Sequence, residues 1–187
     1  MRLAERFRAA TPKTKARLTG AVYLAYFMTV FASQAFDAHS LPGRALNLSS
    51  VVIYALLTLL LFFMFRRVSK GVSLLAAVFS FAGCISSAMQ TLHLIRYIVS
   101  PLIFFGIYCL LLGQLVIRSR FLPRILGALL VVAGMAWVLY LFPFPAGFKL
   151  FTEIFGVVAE GALCLWLLIA GVSPKGAAGP RGQGRRG

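Results

Sequence analysis

The sequence predicts an all-α fold, an integral membrane bundle of six transmembrane helices with both termini cytoplasmic. Three observations predict it. The 187-residue chain is 60% hydrophobic and only 12% charged, with a mean hydropathy of +0.91. That leaves too little polar surface to cover a soluble core. Uncharged apolar runs recur at about the 18 residues or more that mark a membrane-spanning helix. Finally, the Lys and Arg residues gather in alternate connections, as the positive-inside rule describes.

The first apolar segment runs roughly from Leu18 to Phe36 and stops before DAHSLPGR. The second runs from Asn47 to Phe65 and stops at RRVSKG. The third spans Gly71 to Leu92 and the fourth Ser100 to Ile117, with HLIRYIV between them. RSRFLPR leads into the fifth, Ile125 to Phe142, which PFPAGFK closes. The sixth runs from Leu150 to Gly171. Each is about long enough to cross a hydrocarbon core of about 30 Å. Backbone polar groups cannot go unpaired in lipid, so all six are read as helices. Residues 1–17 form a basic leading segment, 18–171 the transmembrane domain, and 172–187 a basic tail. The tail, rich in Gly, Pro and Arg, is expected to be disordered.

Orientation follows from the cations. Arg2, Arg6, Arg8, Lys13, Lys15 and Arg17 precede the first helix. Arg66, Arg67 and Lys70 follow the second, Arg118, Arg120 and Arg124 follow the fourth, and Lys175, Arg181, Arg185 and Arg186 end the chain. Sixteen of the 19 Lys and Arg thus fall on one side, leaving Arg44, Arg96 and Lys149 on the other. The rich side is placed in the cytoplasm of a cell whose plasma (inner) membrane the chain crosses. There its cations favour anionic lipid headgroups. The net charge of +15 is therefore topological. A nucleic-acid role would need a basic face on a folded domain or stacking aromatics, and neither is found. The basic start followed by ASQA (Ala32 to Ala35) also fits a cleavable signal peptide, although the apolar run is longer than most such segments.

Four acidic residues occur in the chain, and two of them, Glu153 and Glu160, lie in EIFGVVAEGALCLWLLIAG. Seven residues apart, they project from one helix face about 10 Å apart. Glu153 falls near the outer surface and Glu160 at mid-depth. A mid-membrane carboxylate must be protonated, paired or facing water, and is functional by default. Gly83, Ser86, Ser87, Gln90, Thr91 or His93, and Tyr97 form a polar stripe on the third helix. Asp37, His39, Arg44, Asn47, His93, Arg96 and Glu153 would gather near the outer surface, and Gln114 sits in the fourth helix. The pattern suggests a polar cavity open to the outer side, with Glu160 at its floor and helices three and six in contact. The candidate ligand-binding or proton-linked residues are Glu160, Glu153, His93, Gln90, Arg96 and Asp37. Against this stands the plainer reading, in which Ser, Thr and Gln are interhelical hydrogen-bonding groups and Arg96 and Glu153 snorkel. No catalytic residue, metal or cofactor is expected. Cys84, Cys109 and Cys164 fit neither a disulfide framework nor a zinc spacing, and read as small buried hydrophobes.

At FFGIYCLLLGQLVIRSRFLPRILGALLVVAGMAWVLYL (104–141) and AEGALCLWLLIAGV (159–172) the chain resembles a bacterial family, domain of unknown function 4386. The likeness is carried by Gly106, Gly113, Arg118, Ser119, Phe121, Leu122, Pro123, Arg124 and Gly127, then by Glu160, Gly161, Trp166 and Gly171. RLTGAVYL near the start also fits. The resemblance implies a multi-spanning membrane protein and supplies no catalytic residue.

Three functions follow from these residues. The first is non-enzymatic binding or transport of a small or lipid-like molecule through the outer cavity. The second is a lipid-modifying enzyme using Asp37, His39, His93 or Glu153 as acid and base. No HExxH or GxSxG motif accompanies those residues. The third is a structural or regulatory membrane partner protein, whose Gly106, Gly113, Gly127 and Gly134 form packing seams.

Overall fold

The computed structural model describes residues 11–94, 100–142 and 146–172. Among these residues there are six α-helices and no strand: α1 (Pro12–Ser33), α2 (Leu41–Phe65), α3 (Lys70–Thr91), α4 (Pro101–Arg118), α5 (Arg124–Val138) and α6 (Ala146–Ile169). A 3-10 turn, Leu139–Leu141, extends α5. Four helices, α2, α3, α4 and α6, are long and apolar enough to cross a membrane. Of the other two, α1 opens with Lys13, Lys15 and Arg17, and α5 has only 15 residues.

Helix starts are fixed by polar caps that a hydropathy reading passes over. Thr11 accepts from the Thr14 N–H, and Pro12 follows it. That starts α1 within the basic leading segment rather than at Leu18. Ser40 accepts from the Gly43 N–H with Pro42 in the first turn, so α2 begins at Leu41 rather than Asn47. Ser100 and Pro101 do the same for α4. In each case the cap oxygen takes an N–H that the helix cannot use, and proline occupies a position that needs no donor.

Short connections make successive helices antiparallel, and each packs on its neighbours in sequence. The first helix also packs on the last, so the six close into a ring. Helices α3 and α6, expected to be in contact, share no seam as extensive as those between neighbours in sequence. The tightest seam joins α4 to α5. A Cβ on Gly106 would meet the Gly134 carbonyl at 2.9 Å, and one on Gly113 would meet the Gly127 carbonyl at 2.7 Å. The four glycines therefore face each other within one chain, and this seam is not left open for a partner.

The outside of the ring is apolar, with Met28, Phe31, Val52, Ile85, Val132, Val158 and Leu165 exposed. Polar groups turn inward or onto their own helix. Thr19, Thr29, Ser33, Ser49, Ser50, Thr91 and Thr152 each donate to a carbonyl three or four residues earlier. Such back-bonding satisfies a hydroxyl without a second helix.

Candidate functional site

Glu160 lies near the middle of α6, points into the ring and is 3% exposed. Its partners come from α2 and α4. The Tyr54 hydroxyl donates to Oε1 at 3.1 Å, and the Cys109 thiol donates to the same oxygen at 3.3 Å. The Tyr23 hydroxyl of α1, fully buried, lies beside this carboxyl without closing a well-formed hydrogen bond. Tyr23, Tyr54, Cys109 and Glu160 each sit near the middle of their helices, so they meet at one depth. No cation among the described residues is a partner of Glu160.

The site is roofed on one side by aromatic rings. Tyr26 lies 4.7 Å from the Tyr54 ring and Phe105 5.1 Å from it, while Phe27 stacks on Tyr23 at 5.4 Å. One turn from Glu160, the Trp137 indole covers Gly156, where a Cβ would overlap it. The Trp137 Nε1 donates to the Thr152 carbonyl at 3.1 Å. Among the described residues, aromatic rings therefore lie between Glu160 and the end of the bundle that carries Asp37 and His93.

The other sequence candidates are placed as follows. Glu153 is exposed, so the seven-residue spacing puts two carboxylates on one stripe that lie in different surroundings. Gln90 is half-buried on α3, and Gln114 is exposed on α4. Arg96 and Tyr97 lie outside the described residues, as does the tail from residue 173 onward. Asp37 shapes a turn. Its Oδ1 accepts from the His39 N–H at 2.9 Å, and its carbonyl accepts from the Ser40 hydroxyl at 2.6 Å. The Gly43 backbone lies so close to that carbonyl that a Cβ would overlap it.

His93 ends α3 in the left-handed region, at φ 57°. Its N–H bonds to the Gln90 carbonyl and the Leu94 N–H to the Met89 carbonyl, a helix stop usually given to glycine. His39, which the sequence gathers with His93 at the same end of the bundle, comes onto it. The two rings stack 5.2 Å apart at 14°. No group of three metal-ligating side chains occurs among the described residues.

The three cysteines are free and buried, as expected of small hydrophobes. Two of them also act as donors, Cys109 to Glu160 and Cys164 to the Gly20 carbonyl at 3.5 Å. Sequence reasoning passed over Tyr23, Tyr54 and Tyr108 as site residues. The signal was available: tyrosine favours membrane interfaces, and all three sit deep inside apolar runs.

Residues 86–171 match the family model described as domain of unknown function (DUF4386). An uncharacterized protein of Archaeoglobus fulgidus is 29% identical over 127 residues, covering 65% of this chain and 78% of its own. That relative is archaeal, so it does not carry the bacterial setting the resemblance implies. No solved structure matches the chain. The matched region begins within α3, takes in α4, α5 and α6, and includes Glu160, so it is this part of the chain that is similar to the DUF4386 family.

Proposed function

We propose that the chain is a six-span plasma-membrane protein with both termini in the cytoplasm, and that it binds or carries a small or lipid-like molecule. The observation that carries this reading is Glu160, a carboxyl buried near the middle of its helix with phenol and thiol donors around it and no cation beside it among the described residues. A lone carboxyl placed in hydrocarbon costs free energy, so a purely structural chain gains little by keeping one. The outer approach passes Asp37, His39 and His93, and the layer formed by Tyr26, Phe105 and Trp137 is a closed gate over the site. The cation-rich end, with Arg17, Arg66, Arg67, Lys70, Arg118, Arg120 and Arg124, rests against anionic headgroups.

Mass spectrometry of the protein extracted with its native lipids tests the proposal. The parent is expected to retain a distinct small or lipid-like molecule, and a folded Glu160→Gln variant to lose it. An identical set of bound molecules in both would sink the reading.

A further inference from the structure

On the side of Glu160 away from the aromatic roof lies a cavity of about 10 Å³, lined by Thr58, Phe65, Ser73, Ala77, Tyr108 and Leu115 among others. That is room for about one water. These residues belong to the second half of α2, the first half of α3 and, from Tyr108 onward, the middle and second half of α4. The cavity therefore sits toward the cation-rich end.

Its lining is mostly apolar but includes three hydroxyl-bearing side chains, Thr58, Ser73 and Tyr108. The Tyr108 hydroxyl is buried, with Tyr108 2% exposed, and has no hydrogen-bond partner among the described residues. The Thr58 hydroxyl, one turn along α2 from Tyr54, donates to the Tyr54 carbonyl and shares a 2.6 Å hydrogen bond with Ser80. Ser73, nearer the cation-rich end, reaches the Phe62 carbonyl at 3.3 Å. A buried hydroxyl without a partner costs free energy, and a one-water space beside two other hydroxyls supplies what it lacks.

We propose that this cavity is a one-water site on Tyr108, and that Glu160 exchanges its proton through it with the cation-rich end rather than past the aromatic roof. The titratable groups around the carboxyl are Tyr23 and Tyr26 from α1, Tyr54 from α2, Cys84 from α3, Tyr108 and Cys109 from α4, and Cys164 on α6. The neighbour from α5 is Trp137, which does not titrate. Hydroxyls and a thiol pass a proton by accepting one and releasing another, so none need gain a lasting charge. One proton enters the chain from the aqueous end and one arrives at the carboxylate, with no other bond changed. The inference rests on the reading of Glu160 as the working group and adds the proton as its partner ion.

The test is hydrogen–deuterium exchange of the carboxyl, followed by infrared spectroscopy on the full chain in phosphatidylglycerol-containing vesicles. A protonated-carboxyl band present in the parent and absent in Glu160→Gln identifies the group. Tyr108→Phe removes the water's anchor while keeping the ring, and Ala77→Leu fills the cavity. Each is expected to slow exchange by about tenfold, the effect of losing one hydrogen bond in the path. Phe105→Ala, which thins the roof, is expected to leave the rate unchanged. Unaltered exchange in folded Tyr108→Phe, faster exchange in Phe105→Ala, or no carboxyl band lost in Glu160→Gln would each overturn the proposal. Replacement of the proton by bound sodium would show as the last of these. The retained-molecule experiment is read separately, so its failure leaves the exchange result interpretable.

Discussion

Tyr54 and Cys109 donate to the same oxygen of Glu160, so neither bond is independent of the other. Tyr54→Phe is expected to lower stability by about 1 kcal/mol. Combined with Glu160→Gln, the two losses should fall short of their sum, since both remove one network. Thermal unfolding of the four proteins in detergent reads the coupling, and strict additivity would separate the residues. His93 poses the opposite case. Its left-handed backbone costs on the order of 1 kcal/mol in a non-glycine residue, so His93→Gly should unfold no earlier than the parent. A clear loss of stability in that variant would mean that the stack on His39 outweighs the strain. At this scale the sequence spoke unevenly. Glu160 was legible because a charge in an apolar run is rare. Its partners were not, because tyrosine and cysteine read as ordinary apolar content, and only the closing of the ring brings three helices onto one carboxyl.

Helix number and order were legible from hydropathy alone, and the starts of α1 and α2 were not. There the decisive groups are Thr11 with Pro12 and Ser40 with Pro42, polar residues that a hydropathy scan assigns to connections. The glycine spacing of α4 and α5 was visible as a packing pattern, but spacing cannot say whether the surface opposite belongs to the same chain. The structure pairs Gly106 with Gly134 and Gly113 with Gly127. Gly134→Leu should therefore cost about 1–3 kcal/mol by overpacking, whereas Gly71→Ala, with nothing within 4 Å of the added carbon, should change stability by less than about 0.5 kcal/mol. Denaturation midpoints distinguish them. Equal effects would mean that the α4–α5 seam yields easily.

For the whole molecule, the expected topology rests on cations that lie in alternate connections. A reporter enzyme fused after Ser40 or Pro145 is expected to be active outside the cytoplasm, and one fused after Val68 or Phe121 inside it. The reverse pattern would invert the bundle and with it both ends of the proposed proton route. The ring itself has a further consequence for how the protein is made. Its closing contact joins the first helix to the last: Gly20 rests on the Leu168 backbone, and Arg17 reaches the Ile169 carbonyl at 3.4 Å. A ribosome delivers α6 only after the five helices before it have been made. Until then Tyr54 and Cys109 have no acceptor, and one flank of α1 is left uncovered. The interior is thus completed by a single late-arriving carboxyl, and chains halted before residue 150 should be the ones that cellular proteases clear.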